Sequence, residues 1–371
     1  MEEAEGSTNG AGSGRPGQEG QEGGAALRSY PEGSRGAPAR PDPPGGDIGP
    51  QVVLVTGAGG PAGISVLLDL RRAGHGTVAA DASADATGLR LADGAGVLPL
   101  AGDHSFLDAL CDLGAAHGAT AVIATVAEEV IALAEGADRL AAAGLATWVP
   151  EAKAVRTCID KWLFHQAAEA AGVAVPPTVP GSSIPPGADP PFAGPWLVKP
   201  RFGRGSRDIV PVDDPAELHA AIRHVPDPIV QHRLVGREFT VDALVAPDGT
   251  SLVGAVPRWR DETKAGISVR GETFVDGAVT AGVAGLLAAL RLAGPSNVQG
   301  FVDPATGQVA FTEVNPRFSG GLPLSLAAGA DLVGEYLRVI VGMAPRPERL
   351  VYRPGVRMFR YFAEIFEETG S

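Results

Sequence analysis

The chain has 371 residues, 44% of them hydrophobic, and 30 Lys and Arg against 43 Asp and Glu leave a net charge of −13. That length accommodates two or three domains with a sizeable core. The acidic balance argues against nucleic acid and other polyanions as general partners, leaving room only for local cationic pockets.

Residues 1 to 49 are rich in Gly, Pro, Ser and Glu and nearly devoid of large apolar side chains. Such a segment buries too little surface to offset its ordering entropy, so a disordered tail is expected. Its acidic start, Met1-Glu2-Glu3, is not followed by the apolar core of a signal peptide. No uncharged apolar run in the chain is long enough to cross a bilayer. Cys111 and Cys158 match no metal or redox spacing and are expected to be free thiols in a reducing compartment. A soluble, cytoplasmic protein is expected.

From 50 to 150 the pattern alternates. Short apolar runs at 52–55, 77–80, 96–100 and 121–125 read as strands, and amphipathic stretches at 64–72, 105–117 and 128–143 read as helices. Strand, glycine turn, helix, strand and then Asp81 is the opening of a Rossmann-like parallel sheet. The glycines Gly57, Gly59 and Gly63 are spaced one residue wider than a dinucleotide fingerprint. None of Tyr30, Tyr336, Tyr352 or Tyr361 has the lysine four residues on that a short-chain dehydrogenase needs. A structural or substrate-facing turn is expected, with a nicotinamide-dependent oxidoreductase as a further alternative.

Residues 151–172 read as one helix carrying Asp160 and Lys161, followed by a proline-rich connector to Pro195. The next strand bears Lys199 and is cut by Pro200. A loop with Gly203, Arg204, Gly205 and Ser206 leads to a second strand at 209–212. Glycine amides that fold over an anion, with a lysine on the adjoining strand, suit a flap closing on phosphates; the plainer reading is a tight hairpin with solvated basic residues. A helix at 215–224 and a strand from 228 follow, broken at Gly236. Backbone around such a break can read an adenine edge, and Glu238 beyond it is a candidate ribose partner. The strand at 252–260 presents Arg258 and Arg260 on one face, to hold a carboxylate or phosphate or to act as an edge-strand charge pair. A mobile loop is expected at 261–272 and a helix at 277–293.

The chain then forms a hairpin, with strands at 298–302 and 309–314 and a turn at 303–307. Centring the turn on Thr306 sets Gln299 opposite Glu313 and Phe301 opposite Phe311. Asn315 shares the face of Glu313, and Arg317 stands at the ladder's end after Pro316. One carboxylate and two amides make a hard-oxygen set of the kind Mg²⁺ prefers, and an arginine beside it can neutralise a transferring phosphoryl group. A helix at 330–342 and a strand-like tail complete the chain.

Taken in order, Lys161, Val198-Lys199-Pro200, Gly203-Arg204-Gly205-Ser206, Glu238, Ser296-Asn297-Val298-Gln299 and Glu313-Val314-Asn315-Pro316-Arg317 resemble the ATP-grasp ligases. The likeness is to one synthetase unit of the carbamoyl-phosphate synthase large subunit and to single-unit carboxylate–amine ligases, over roughly residues 52 to 345. It implies a Rossmann-like pre-ATP-grasp domain (50–150), then a two-subdomain ATP-grasp fold (151–371) with a lid at about 174–230 and a metal-binding, catalytic subdomain at about 231–345. It also implies that Lys161 and Lys199 touch ATP phosphates under the 203–206 flap, that Gln231, His232 and Leu234 read adenine, and that Glu238 holds the ribose. Gln299, Glu313 and Asn315 would bind Mg²⁺ or Mn²⁺, with Arg317, Arg258 and Lys199 as catalytic residues. His232-Arg233 departs from the acidic–aromatic pair that relatives often show, and Asp208 stands where a glycine is common.

The expected reaction joins a small-molecule or amino-acid carboxylate to an amine through an acyl phosphate, releasing ADP and phosphate. Phosphoryl transfer asks for positioning and charge neutralisation, and no Ser-His-Asp or Cys-His set is evident. ATP-dependent phosphorylation or carboxylation of a small acid, and a catalytically silent nucleotide-binding module, are the alternatives. Arg258, Arg260 and the 261–272 segment are candidates for choosing the acid, and Glu128 or Glu129 for facing the amine. Neither nucleic acid nor membrane is expected as a partner; a homodimer is what the family suggests.

Overall fold

The computed structural model describes residues 48–203, 205 and 207–367. The expectations for nearly all of the 1–49 segment, and for Arg204 and Ser206, fall outside these. Three sheets follow one another along the chain.

The first is a four-stranded parallel sheet of β1 (Val52–Thr56), β2 (Gly76–Asp81), β3 (Gly94–Val97) and β4 (Ala121–Ile123) in the order β3-β2-β1-β4. Its central strand is buried because helices cover both faces, as a parallel sheet requires. Those helices are α1 (Pro61–Arg72), α2 (Phe106–His117), α3 (Ala127–Glu135) and α4 (Ala137–Ala142). The single helix expected at 128–143 is two, divided at Gly136. Likewise, the single helix expected at 151–172 is α5 (Ala152–Ile159) and α6 (Lys161–Ala170). Asp160 divides them: it takes an extended conformation and accepts hydrogen bonds from the Trp162 and Leu163 amides as the cap of α6.

The second sheet is small and antiparallel: β5 (Thr178–Pro180), β6 (Trp196–Pro200), β7 (Val210–Val212) and β8 (Pro228–His232), in the order β5-β8-β6-β7, with α7 (Pro215–His224) on one side. Its apolar face packs Trp196, Val198, Val212 and Val230 against Leu218 and Val225.

The third is a six-stranded antiparallel sheet in the order β13-β12-β9-β10-β11-β14. Its strands are β9 (Arg237–Val245), β10 (Leu252–Lys264), β11 (Ile267–Thr273), β12 (Gly294–Val302), β13 (Val309–Asn315) and β14 (Arg357–Phe359). Helix α8 (Gly277–Leu290) covers one face, and α9 (Leu322–Ala328) and α10 (Leu332–Ile340) lie between the other face and α1. Among the described residues no helix is long and apolar enough to cross a membrane.

Two expectations about this sheet are overturned. The stretch 261–272 is mostly strand, because Ala265 and Gly266 take positive φ (48° and 76°) and close β10 onto β11 in a two-residue hairpin turn. It also follows that Arg258 and Arg260 sit on an interior strand, not an edge. The second correction concerns the β12–β13 pairing. Gln299 does face Glu313, but the register then slips, so that Phe311 faces Gly300 and Phe301 faces Ala310. Thr312 is the extra residue of a bulge. Strict alternation would put Phe311 and Glu313 on one face; the bulge sends Phe311 into the apolar core with Val314 and frees Glu313 for the opposite face. There Phe311 meets Phe239 edge-on at 5.9 Å.

Candidate functional site

The polar face of the third sheet is built by alternation. On β9, Phe239, Val241 and Ala243 point to the apolar core, so Glu238, Thr240 and Asp242 point the other way. They share that face with Arg258 and Arg260 of β10, Asn297 and Gln299 of β12, and Glu313 and Asn315 of β13. Hydrogen bonds run across it. Gln299 accepts from Arg260 Nη1 at 3.0 Å and donates through Nε2 to Asn297 Oδ1 at 3.3 Å. Asn315 Nδ2 donates to Glu313 Oε1 at 2.9 Å, and Arg317 Nη2 donates to Asn315 Oδ1 at 3.2 Å. Gln299, Glu313, Asn315 and Arg317 are thus brought together.

Two lysines approach from the other elements. Lys199 on β6 is buried, and its Nζ donates to Gln231 Oε1 at 2.9 Å; Gln231 Nε2 in turn donates to Thr178 Oγ1 at 2.8 Å. Burial lowers the Lys199 pKa to about 8, the charge of Glu313 opposing that fall and the charge of Lys161 adding to it. Lys161 opens α6 and donates from Nζ to the Gly203 carbonyl at 2.9 Å. Burial also pulls its pKa down, against Glu313 and Asp160. Both ammonium groups therefore feel the one carboxylate, Glu313.

Beneath the loop, Arg201 makes a bidentate pair with Asp160, at 2.8 Å and 2.6 Å. The Lys161 amide donates to the Arg201 carbonyl at 3.1 Å. Burial alone would raise the Asp160 pKa, but the bonds from Arg201, Leu163 and Trp162 hold it below the ordinary carboxylate value. At the loop's crest, Gly205 lies against Gly266 of the β10–β11 turn, where a Cβ would come within 3.0 Å of Gly205 Cα. Arg260 Nη2 donates to the Gly266 carbonyl at 3.0 Å, so one guanidinium links that turn to Gln299.

The remaining predicted residues sit as follows. Glu238 is ion-paired with Arg260; burial raises its pKa and Arg260 counters it. Gln231 and His232 belong to β8, whose backbone is paired on both sides, and the His232 amide donates to the Pro177 carbonyl at 2.8 Å. Leu234 lies beyond that strand and makes no backbone–backbone bond among the described residues. Arg258 is not among the Glu313 cluster: it is buried and donates from Nη2 to Asp242 Oδ1 at 2.8 Å and to Ser319 Oγ at 3.0 Å. Glu129 accepts from the Thr56 hydroxyl at 2.6 Å beside the first glycine turn, while Glu128 is exposed. Sequence reasoning missed the Gln231 side chain, Asp242 and the Asp160–Arg201 pair. A lone acid in an apolar strand was the available sign of Asp242.

Around the glycine turn at 57–63 there is little open space. The Gly59 amide donates a hydrogen bond to Asp81 Oδ2 at 2.8 Å. A Cβ on Gly88 would lie 2.2 Å from the Ala58 carbonyl oxygen, so a neighbouring backbone is packed directly on the turn. Asp81, which would hold a ribose in a dinucleotide site, is spent on the turn itself.

The donor set fits a hard divalent cation. Among the described residues no three His, Cys, Asp or Glu gather to hold a metal ion, and the set on this face is one carboxylate with two amide oxygens. Oxygen donors alone, with no sulfur or imidazole, are what Mg²⁺ takes.

Residues 224–361 match the family described as "ATP-grasp in the biosynthetic pathway with Ter operon". No curated protein sequence matches the chain. Among solved structures, the chain is similar to the L-amino acid ligase from Bacillus licheniformis, with 17% identity, a TM-score of 0.63, and coverage of 82% of this chain and 77% of that one. It is similar to the N5-carboxyaminoimidazole synthetase of Staphylococcus aureus complexed with ADP, with 16% identity, a TM-score of 0.61, and coverage of 80% and 79%. It also resembles Rhizobium etli pyruvate carboxylase, with 20% identity, a TM-score of 0.62 and 82% coverage, though it spans only 30% of that longer chain.

Proposed function

We propose that this chain, which has the ATP-grasp fold, is an Mg-ATP-dependent ligase that joins a small-molecule or amino-acid carboxylate to an amine. In this reading residues 50–150 form the pre-ATP-grasp domain and 151–371 the ATP-grasp domain. The observation that carries the proposal is the set Gln299, Glu313 and Asn315 on one sheet face, Gln299 in register with Glu313 and Asn315 hydrogen-bonded to it, with the buried lysines Lys161 and Lys199 both under the influence of the Glu313 charge. Both ammonium groups are held by neutral oxygens, Lys161 by the Gly203 carbonyl and Lys199 by Gln231, and so can take the stronger charged bonds that phosphate oxygens offer.

Lys161 and Lys199 hold the ATP phosphates, and the 203–206 loop covers them and keeps out water. The Leu234 amide, which makes no backbone–backbone bond among the described residues, reads adenine, and Glu238, released from Arg260, takes the ribose. Gln299, Glu313 and Asn315 hold Mg²⁺ or Mn²⁺, which neutralises phosphate charge when bound. The acceptor carboxylate attacks the γ-phosphorus and ADP leaves; Arg317 faces the charge that develops on the transferring group. The amine then attacks the acyl carbon, loses a proton and expels phosphate.

The test is ADP release with Mg-ATP over pooled amino acids and small acids, wild type beside Glu313→Gln. Substrate-dependent ADP that the substitution abolishes supports the ligase. Binding of an ATP analogue with no ADP from any pool would favour a silent module. The likeness to a carboxylase supports a second reading: carboxylation of a small acceptor, in which ADP release would depend on bicarbonate and no amine.

A further inference from the structure

We propose that Arg258 and Arg360, on either side of the Ser319–Gly321 turn, bind a second carboxylate of the substrate, distinct from the one that is phosphorylated. The inference rests on the ligase reading for the identity of the ligand, but its geometry is independent of it.

Arg258 is 1% exposed. Its Nη2 is spent on Asp242 and Ser319, yet its Nε and Nη1 have no hydrogen-bond partner among the described residues. Three N–H donors of a buried guanidinium left without a protein partner are costly, and a bound anion would complete them. Gly321 packs directly on this guanidinium, since a Cβ there would lie 2.2 Å from Nη1 and 2.9 Å from Cζ, so only a glycine lets Arg258 reach the turn.

Arg360, in the segment after β14, reaches the same turn. It donates from Nη2 to the Gly320 carbonyl and from Nε to the Ser268 carbonyl at 3.3 Å. Burial and the nearby charge of Arg258 both lower its pKa. Asp242 is the one carboxylate that pairs with either guanidinium among the described residues, so the pair carries an excess positive charge. A Cβ on Gly320 would lie 3.2 Å from Pro61, so the turn faces the end of the first glycine loop, between the parallel sheet and the third sheet.

An oxyanion with two coplanar oxygens suits two guanidinium forks. Strand spacing argues that this anion is not the reacting group. Arg258 on β10 is three inter-strand steps from Glu313 on β13, or about 14 Å at about 4.8 Å per step. A substrate phosphorylated near Glu313 would extend its far end toward Arg258. The expected class is a dicarboxylic acid or an amino acid with a spare carboxylate.

The test uses the full chain with Mg²⁺ and a non-hydrolysable ATP analogue. Calorimetry compares C3–C6 dicarboxylic acids, aspartate and glutamate with their monoamides. At least one diacid should bind about 10- to 100-fold more tightly than its amide, the worth of charged hydrogen bonds. Arg360→Gln should erase that difference while the ATP analogue binds as before, and Arg360→Lys should restore part of it. Equal binding of every diacid and amide, or a preference that survives Arg360→Gln, would overturn the proposal. ADP release on the same panel reports separately on the ligase. Discrimination without turnover keeps the anion site and sinks the ligase reading; turnover without discrimination does the reverse.

Discussion

Arg201 and Asp160 form a bidentate pair, at 2.8 Å and 2.6 Å, that fastens the root of the glycine loop to the cap of α6. The same carboxylate accepts from the Trp162 and Leu163 amides, so one side chain sets both where α6 begins and where Lys161 stands. Asp160→Ala removes the cap and the pair together. We expect a loss of about 1–3 kcal/mol in stability by urea denaturation, with a higher KM for ATP. An unchanged KM would mean that Lys161 is positioned by something else.

Lys199 gives a pH dependence with a definite sign. Its folded pKa, about 8, lies below its ordinary 10.5. Between those values the unfolded chain holds more protons, so stability rises with pH there, and the full penalty of the buried charge is present below about pH 8. Phosphate binding needs the charged form. Affinity for an ATP analogue should therefore fall as pH climbs through about 8, and Lys199→Arg should flatten the profile. A wild-type profile flat from pH 7 to 9.5 would remove Lys199 from the phosphate site.

The buried pair of Arg258 with Asp242 predicts a stability asymmetry. Among the described residues, Arg258→Met leaves Asp242 buried with Ser325 and Asn297 as its side-chain donors, at 2.6 Å and 3.1 Å. Breaking such a pair from one side costs about 3–5 kcal/mol. The double variant Arg258→Met/Asp242→Leu should recover part of that loss, read as the shift in urea midpoint. Strictly additive losses would show that the two residues are not energetically coupled.

Much of this was readable from residue order because periodicity carries it. The apolar run at 52–55, the glycine turn and the Asp303–Gly307 turn each announce their element, and Gln299 and Glu313 did pair across the hairpin. What escaped depends on contacts distant in sequence. The bulge at Thr312 arises because Phe311 must reach Phe239 on another strand while Glu313 stays on the polar face. The break at Asp160 is fixed by Arg201, 41 residues away. The strands at 261–272 looked mobile because their charges are paired across the hairpin, as Arg270 with Glu262, and charge in sequence reads as loop.

The contact between Gly205 and Gly266 predicts how tightly ATP hydrolysis is coupled to the acceptor. At φ 76° Gly266 is in the left-handed region, and its Cβ would press within 3.0 Å of Gly205 Cα and 3.2 Å of the Gly205 carbonyl carbon. Gly266→Ala therefore strains the turn by about 1–2 kcal/mol and pushes on the loop crest. The loop's other anchor, Lys161 on the Gly203 carbonyl, is untouched, so nucleotide should still bind. Arg260, which reaches both the Gly266 carbonyl and Gln299, would carry part of the disturbance toward the metal-binding residues. A loop that closes less completely admits water to the phosphates. ADP release without acceptor should rise severalfold, while the yield of ligated product per ADP falls. If both stay at wild-type values while the melting temperature drops, the crest contact supports the hairpin turn alone and the loop closes without it.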